Sequence, residues 1–309
     1  MGRRLRNVLV ALVGVALGVA FAWRWLTARE DVPAHSDYRI ELDALRALAA
    51  SQPGPGPREI RSVLVAEAAL PRGAIFAGEP FEPLHQVHQV FQLVWVERSV
   101  LIDTAFPREQ LAQVATFGDG AGSYHDEGWS AVERALASAE QVFVTHEHFD
   151  HLAGAARLAP ERAAQLRLNA AQLANTAALD ESGIPAALRE KLSPLETAQA
   201  LAVEPGVVLL AAHGHTPGSQ LVYVRRQDGR EALLLGDVAW NADQIRNLHY
   251  RPRLVTFVLG ENRGQVLAQF RALHELAAAH PELAQVVSHD ARQRAELLAS
   301  GVLVEGFAE

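Results

Sequence analysis

Short apolar runs rich in β-branched residues recur from Ile60 onward, each bounded by turn residues, at 60–66, 87–96, 100–102, 141–144, 207–212, 220–224, 232–235, 254–259 and 286–287. Runs of that length and composition predict strands. Between them, apolar positions recur at helical spacing over 130–139, 155–172, 184–192, 264–280 and 292–299. Strands interleaved with helices along one chain predict an α/β layered domain. Ahead of Ile60 the pattern differs. Residues 1–6 carry three arginines, and residues 7–23 carry no charge. Residues 37–50 read as an amphipathic helix, with Ile40, Leu42, Leu45 and Leu48 set among charges, able to pack on a membrane or on the body that follows. Residues 51–57, Ser-Gln followed by alternating Pro and Gly, break regular structure. The chain therefore divides into a terminal apolar segment (1–26), a stalk helix with a Pro/Gly linker (27–58) and a main body (59–309).

A bilayer-spanning helix needs about 20 apolar residues, with a lower limit near 17. The run over 7–23 sits at the short end, and Trp23 and Trp25 flank Arg24 in the manner of an interfacial belt. The reading is a membrane anchor whose arginines stay cytoplasmic, with the body on the extracytoplasmic, periplasmic-type side. The alternative is an exported soluble protein: Ala20-Phe21-Ala22 fits a signal cleavage site after a basic start and an apolar core.

Composition narrows the chemistry. Hydrophobic residues make up 49% and charged residues 21%, as in a globular protein. The net charge of -8 argues against nucleic acid as a partner, because phosphate neutralisation needs a basic face. Cysteine is absent, which excludes disulfides, thiolate metal sites and thiol nucleophiles. Any metal must then be held by His, Asp or Glu.

The chemistry centres on Thr145-His146-Glu147-His148-Phe149-Asp150-His151, which follows directly on the apolar run at 141–144. His146, His148, Asp150 and His151 crowd into six positions. Such groups clustered at a strand end need a partner, since buried charges are paired or bind metal. The other candidates also stand where predicted strands end: Asp103 after 100–102, His215 after 207–212, Asp237 after 232–235 and His289 after 286–287. Strand ends on one edge of a sheet converge in space, and α/β proteins place their sites there.

Asp103, the His146-x-His148-x-Asp150-His151 cluster, His215 in Gly-His-Thr-Pro-Gly, Asp237 and His289 appear in the order of the five elements of the metallo-β-lactamase-fold hydrolases, and the chain resembles that family over roughly residues 60–295. The resemblance implies a four-layer αβ/βα sandwich with two divalent metal ions at one edge, zinc by default, though iron or manganese suits the same donors. It implies one metal on His146, His148 and His215, and a second on Asp150, His151 and His289, with Asp237 bridging. Asp103 would hold a ligand or loop by hydrogen bonds without touching metal. A bridging hydroxide would attack the substrate, with Asp150 as the catalytic carboxylate that orients it and passes a proton on.

Within the family, the spacing of 22 positions from His215 to Asp237 fits the lactonase and esterase branch. Where those lactonases tend to carry a Tyr three positions after the bridging Asp, this chain has Trp240. The expected substrate is a small molecule: a carboxylic ester, lactone or thioester. The alternatives are a phosphodiester, a β-lactam, or the chemistry of an iron-dependent oxidoreductase relative. Trp240 and Tyr124 are expected to meet the substrate, Tyr124 from a glycine-rich loop over 118–128. Glu147 is expected to face outward, His213 to sit in a turn, and His85 and His88 to lie on the surface. His249, Tyr250, Arg246, Arg251 and Arg253 are expected in a solvated loop.

Overall fold

The computed structural model describes residues 2–114, 122–196 and 199–308. Its strands are β1 (Glu59–Pro71), β2 (Pro83–Val94), β3 (Ser99–Ile102), β4 (Ser123–Tyr124), β5 (Gln141–Phe143), β6 (Leu166–Arg167), β7 (Ala200–Glu204), β8 (Val207–Ala211), β9 (Gln220–Arg225), β10 (Glu231–Leu234), β11 (Ala284–Val286) and β12 (Val304–Glu305). They form two sheets. One runs β12-β1-β2-β3-β5-β6, with β4 on β1; the other runs β11-β10-β9-β8-β7.

Alternation along the strands sorts their side chains into three cores. Phe91, Leu93, Val100, Ile102 and Phe143 from the first sheet meet Val207, Leu209, Val222, Val224 and Leu234 from the second, so the sheets pack face to face. On the outer face of the first sheet, Val63, Val90 and Leu101 receive Trp129, Val132 and Leu136 from the helix Asp126–Ser138. On the outer face of the second, Val208, Leu210 and Tyr223 receive Val266, Phe270 and Leu273 from the helix Arg263–Ala279. The result is the mixed α/β sandwich expected, helices outside and sheets within. Each large apolar side chain buried this way contributes roughly 1.5–3 kcal/mol.

The topology places the chemistry. β3 and β5 are parallel, so Asp103 and the residues after Phe143 leave the sheet at the same edge. β10 is parallel to β11 and antiparallel to β9, which is antiparallel to β8. The ends of β8, β10 and β11 therefore share an edge as well.

Several expectations change. The run 254–259 forms the helix Arg253–Val258 and not a strand: Pro252 caps its start, and Phe257 and Val258 stand 82% and 74% exposed with no sheet to join. The stretch 155–172 is not one helix. Pro160 and the capping box of Asn169 divide it into 3-10 turns, β6 and the helix Ala170–Ala174. β7, Ala-Leu-Ala-Val-Glu, is a half-buried edge strand that was not among the predicted runs.

The stretch expected as a stalk packs on the body. Val32, Leu42, Leu45 and Ala49 are buried in the core of the second sheet. The Pro/Gly segment is pinned too. A Cβ on Gly56 would lie 2.1 Å from the carbonyl oxygen of Arg225, so only glycine permits that approach. The terminal segment forms a helix, Arg3–Thr27, with Leu12, Leu17, Phe21, Trp23 and Trp25 exposed. Among the described residues no helix is long and apolar enough to cross a membrane, so the spanning anchor is not upheld. The uncharged run would rise only roughly 26 Å at 1.5 Å per residue, against about 30 Å of hydrocarbon. Its end touches the body, where Arg253 stacks over Trp25 at 4.8 Å and donates to the Trp25 carbonyl at 3.0 Å.

Candidate metal centre

Asp103 organises the edge. It follows β3 in the left-handed region, at φ 64°, which Asp tolerates better than most residues. Its fully buried carboxylate accepts from the Thr145 amide at 2.7 Å and contacts His151 Nδ1 at 2.9 Å. It therefore clamps the loop after β5 at both ends of the His-rich run, and it is in neither group of candidate ligand atoms. Gly236 sets the neighbouring loop: with φ at 52°, a Cβ there would meet Thr145 Cβ at 2.8 Å. Only glycine lets Asp237 come this close.

Two groups result. Donor atoms of His146, His148, His215 and Asp237 lie within 4.8 Å of one another, and so do those of Asp150, His151, Asp237 and His289. Asp237 belongs to both. All seven residues drawn from the sequence are thus brought together. His148 Nδ1 lies 3.1 Å from His146 Nε2 and 3.0 Å from His215 Nε2, and His151 Nε2 lies 3.3 Å from His289 Nε2. Asp237 Oδ1 is buried without a hydrogen bond. Converging imidazole nitrogens around an unpartnered carboxylate oxygen fit a divalent cation in each group. Three of the remaining nitrogens are engaged: His215 Nδ1 with Glu261 at 2.6 Å, His289 Nδ1 with the Val87 carbonyl at 2.8 Å, and His146 Nδ1 with Thr145 Oγ1 at 3.1 Å. Such partners fix which nitrogen faces the cation.

Electrostatics divide the groups in the metal-free protein. Burial holds the imidazoles of His146 and His148 below their ordinary range, His148 at about 4. Burial would also lower His151, but Asp103, Asp150 and Asp237 outweigh it and hold it well above the usual value. His289 is raised in the same way, chiefly by Asp237. Burial would raise the carboxyls of Asp150 and Asp237; the surrounding imidazoles, His151 and His289 foremost, hold both below the carboxylate range.

A cavity of about 420 Å³ opens onto this edge, lined by His148, Asp150, Asp237 and His289 together with Phe149, Trp240, Leu70 and Val258. A larger cleft of about 810 Å³, near His125 and Arg134, holds none of the ligands. Trp240 lines the cavity, and its indole N–H donates to Asp237 Oδ2 at 2.7 Å. Tyr124 does not line it. Its hydroxyl donates to the Phe106 carbonyl at 2.9 Å, and Arg108 stacks over its ring. Residues 118–121 of the proposed substrate loop lie outside the described residues.

Other assignments are corrected. Glu147 does not face outward: it is fully buried, accepting from Thr216 Oγ1 at 2.7 Å and from the Gly218 amide at 3.3 Å, which ties the His-rich loop to that of His215. His88 is buried at the cavity, with Nδ1 3.3 Å from Asp150 Oδ2. His85 stays exposed and pairs with Glu67, and His213 sits in a turn bonded to the Pro217 carbonyl. His249, Tyr250 and Arg251 are buried and not solvated, because Arg251 is drawn in by Glu261 and the carbonyls of Asp237 and Val238. Neither Arg251 nor Glu261 carried a sequence signal. Each is a charged residue in a loop, and only the fold turns them inward. His88 left only a faint signal: it stands two positions before Val90 on the same face of β2, which is buried from Gln86 to Val94.

Two groups that could each hold a cation, at one edge of a mixed α/β sandwich, fit a metal-dependent hydrolase. A model of the metallo-beta-lactamase superfamily matches residues 93–300, and the chain belongs to that superfamily. No curated protein matches the sequence. Among solved structures it is similar to an N-acyl homoserine lactone hydrolase with its product N-hexanoyl-L-homoserine at the catalytic metal centre, at TM-score 0.60 and 16% identity over 78% of this chain and 96% of that one. It is similar also to AidC, a dizinc quorum-quenching lactonase, at TM-score 0.53 and 12% identity over 86% and 92%. A probable metal-dependent hydrolase from Staphylococcus aureus aligns at TM-score 0.52 and 15% identity over 77% and 91%. At these identities the likeness shows a shared fold.

Proposed function

We propose that the protein hydrolyses a small carboxylic ester, lactone or thioester with two divalent ions, zinc by default. The observation that carries this reading is the pairing of the two ligand groups with a cavity walled by Phe149, Leu70, Val258 and Trp240. His146, His148 and His215 would hold one ion, and Asp150, His151 and His289 the other, with Asp237 shared. When bound, such ions supply Lewis acidity and bring the pKa of water down to about 7. The chain's own residues do the rest. The apolar wall takes the acyl portion of the substrate and excludes water beside the reacting carbonyl. Asp150 faces the cavity, and the low pKa that its imidazole neighbours impose keeps it ionised at neutral pH, ready to orient a nucleophile and relay a proton through Oδ2. His88 Nδ1 lies 3.3 Å from that oxygen. Trp240 offers no hydroxyl to a substrate carbonyl, and its N–H is spent on Asp237. This favours substrates gripped by their apolar part. Neighbours of the same fold that carry lactone products support the class, and the family includes other reactions.

The test is a panel of lactone, ester, thioester, phosphodiester and β-lactam substrates on the zinc-loaded chain, with metal analysis alongside. Turnover of a carboxylic ester, lactone or thioester, lost in His148→Ala and Asp237→Ala, is expected. Turnover of phosphodiesters or β-lactams alone, or activity that requires iron and a redox partner, would overturn the reading. We also place the catalytic body outside the cytoplasm, on the strength of the three-arginine start and the uncharged run behind it. Protease protection of a C-terminal tag inside intact cells that are opened only at the outer side tests this: a tag reached only after lysis contradicts it.

A further inference from the structure

Behind His215 lies a buried polar hub that the ligand set does not include. Glu261 and Arg251 are both fully buried, and Arg251 Nη2 lies 3.4 Å from Glu261 Oε1. That oxygen is 2.6 Å from His215 Nδ1, and Tyr250 donates to Oε2 at 2.6 Å. The Asn262 amide donates to the Gly214 carbonyl at 2.8 Å, so the backbones carrying Glu261 and His215 are joined independently of their side chains. Arg251 also donates to the carbonyl of Asp237 at 2.8 Å and stacks over Trp240 at 4.1 Å, whose N–H holds Asp237 Oδ2. Burying an ion pair costs several kcal/mol per ion before its partners are counted, and an apolar pair of similar volume is often as stable. A hub of this kind is better explained by what it orients than by stability.

We propose that Glu261 is the positioning residue of the His146–His148–His215 group. It accepts the Nδ1 proton of His215, which leaves the Nε2 lone pair aimed into the group, and its charge strengthens that imidazole as a donor. Tyr250 and Arg251 hold the carboxylate in place, and Trp240 links the same hub to Asp237. The inference rests on the metal-site reading above.

Zinc uptake by the full chain, followed by metal analysis and chelator competition, tests it without recourse to activity. In Glu261→Gln and Glu261→Ala, one of two zinc equivalents should weaken roughly 10–100-fold while the other keeps its affinity, with Ala the more severe. His215→Ala should lose the same equivalent, and Glu261→Gln added to it should weaken zinc binding no further. A general loss of folding would instead weaken both equivalents and add to the His215 effect. Two equivalents at wild-type affinity in a folded Glu261→Gln protein, or additive losses in the double variant, would overturn the role of Glu261 and leave the metal sites standing. Wild-type protein that takes up no zinc would remove the metal-site reading and this inference with it.

Discussion

Asp103→Asn isolates the clamp beneath the His-rich loop. The substitution keeps the size of the side chain, and Asn tolerates the left-handed backbone at φ 64°, so strain does not confound it. Asp103 Oδ1 accepts from the Thr145 amide at 2.7 Å, and Oδ2 lies 2.9 Å from His151 Nδ1. Asn has one oxygen and cannot accept at both. If the oxygen stays on Thr145, the NH2 group faces His151. The imidazole must then accept at Nδ1, which moves its proton to Nε2, the atom 3.2 Å from Asp237 and 3.3 Å from His289 Nε2. A protonated Nε2 cannot bind a cation. If the oxygen turns to His151, the buried Thr145 amide is left unpaired. A hydrogen bond to a charged group contributes about 1.5–3 kcal/mol, and an unsatisfied buried donor costs about 1–3 kcal/mol. The metal-free protein should therefore lose roughly 2–3 kcal/mol in urea denaturation. The Asp150–His151–His289 equivalent of zinc should weaken roughly 10–100-fold in chelator competition. An Asp103→Asn variant with wild-type stability and two wild-type zinc affinities would refute the clamp.

Metal uptake should depend on pH in a definite direction. His151 and His289 are raised in the metal-free protein, so they hold protons that a cation must displace; affinity rises with pH and protons are released, as calorimetry in buffers of different ionisation enthalpy would show. The same sign makes the stability that His151 adds to the metal-free fold complete below the ordinary histidine value and lost as pH rises through its raised value. Metal binding with no proton release would contradict this. Leu45→Ala, in a helix that docks on the second sheet, should cost about 2–5 kcal/mol in thermal or urea unfolding, whereas a free stalk would lose almost nothing. Trp240→Phe keeps the ring in the cavity and removes the N–H to Asp237; a shift in zinc affinity is expected, and a change confined to substrate KM would show that the indole N–H serves the substrate instead.

The ligands were legible from sequence because each is a polar residue at the end of an apolar run, and a strand has a period of two and a definite end. The runs by themselves predicted only an α/β layered domain; the sandwich and the seven-residue ligand set came from the resemblance of the ordered His and Asp elements to the metallo-β-lactamase fold. Residues whose role depends on a second element were hidden. Glu147 alternates away from His146 and His148 and so read as outward, but the loop of His215 covers it and supplies Thr216 and the Gly218 amide. His88 read as a surface residue until β2 was seen to run beneath His289. The helix Arg253–Val258 read as a strand because its apolar residues are contiguous, and only the absence of a sheet beside it decides otherwise. Arg251 and Glu261 are unreadable in one dimension, because a charged residue is placed inside a protein only by the partner that meets it there. Local pattern could thus dictate where strands end and which donors stand at those ends. Which charges are buried, which nitrogen each imidazole turns inward, and what holds it there depend on contacts between distant segments, and these exist only once the two sheets have closed on each other.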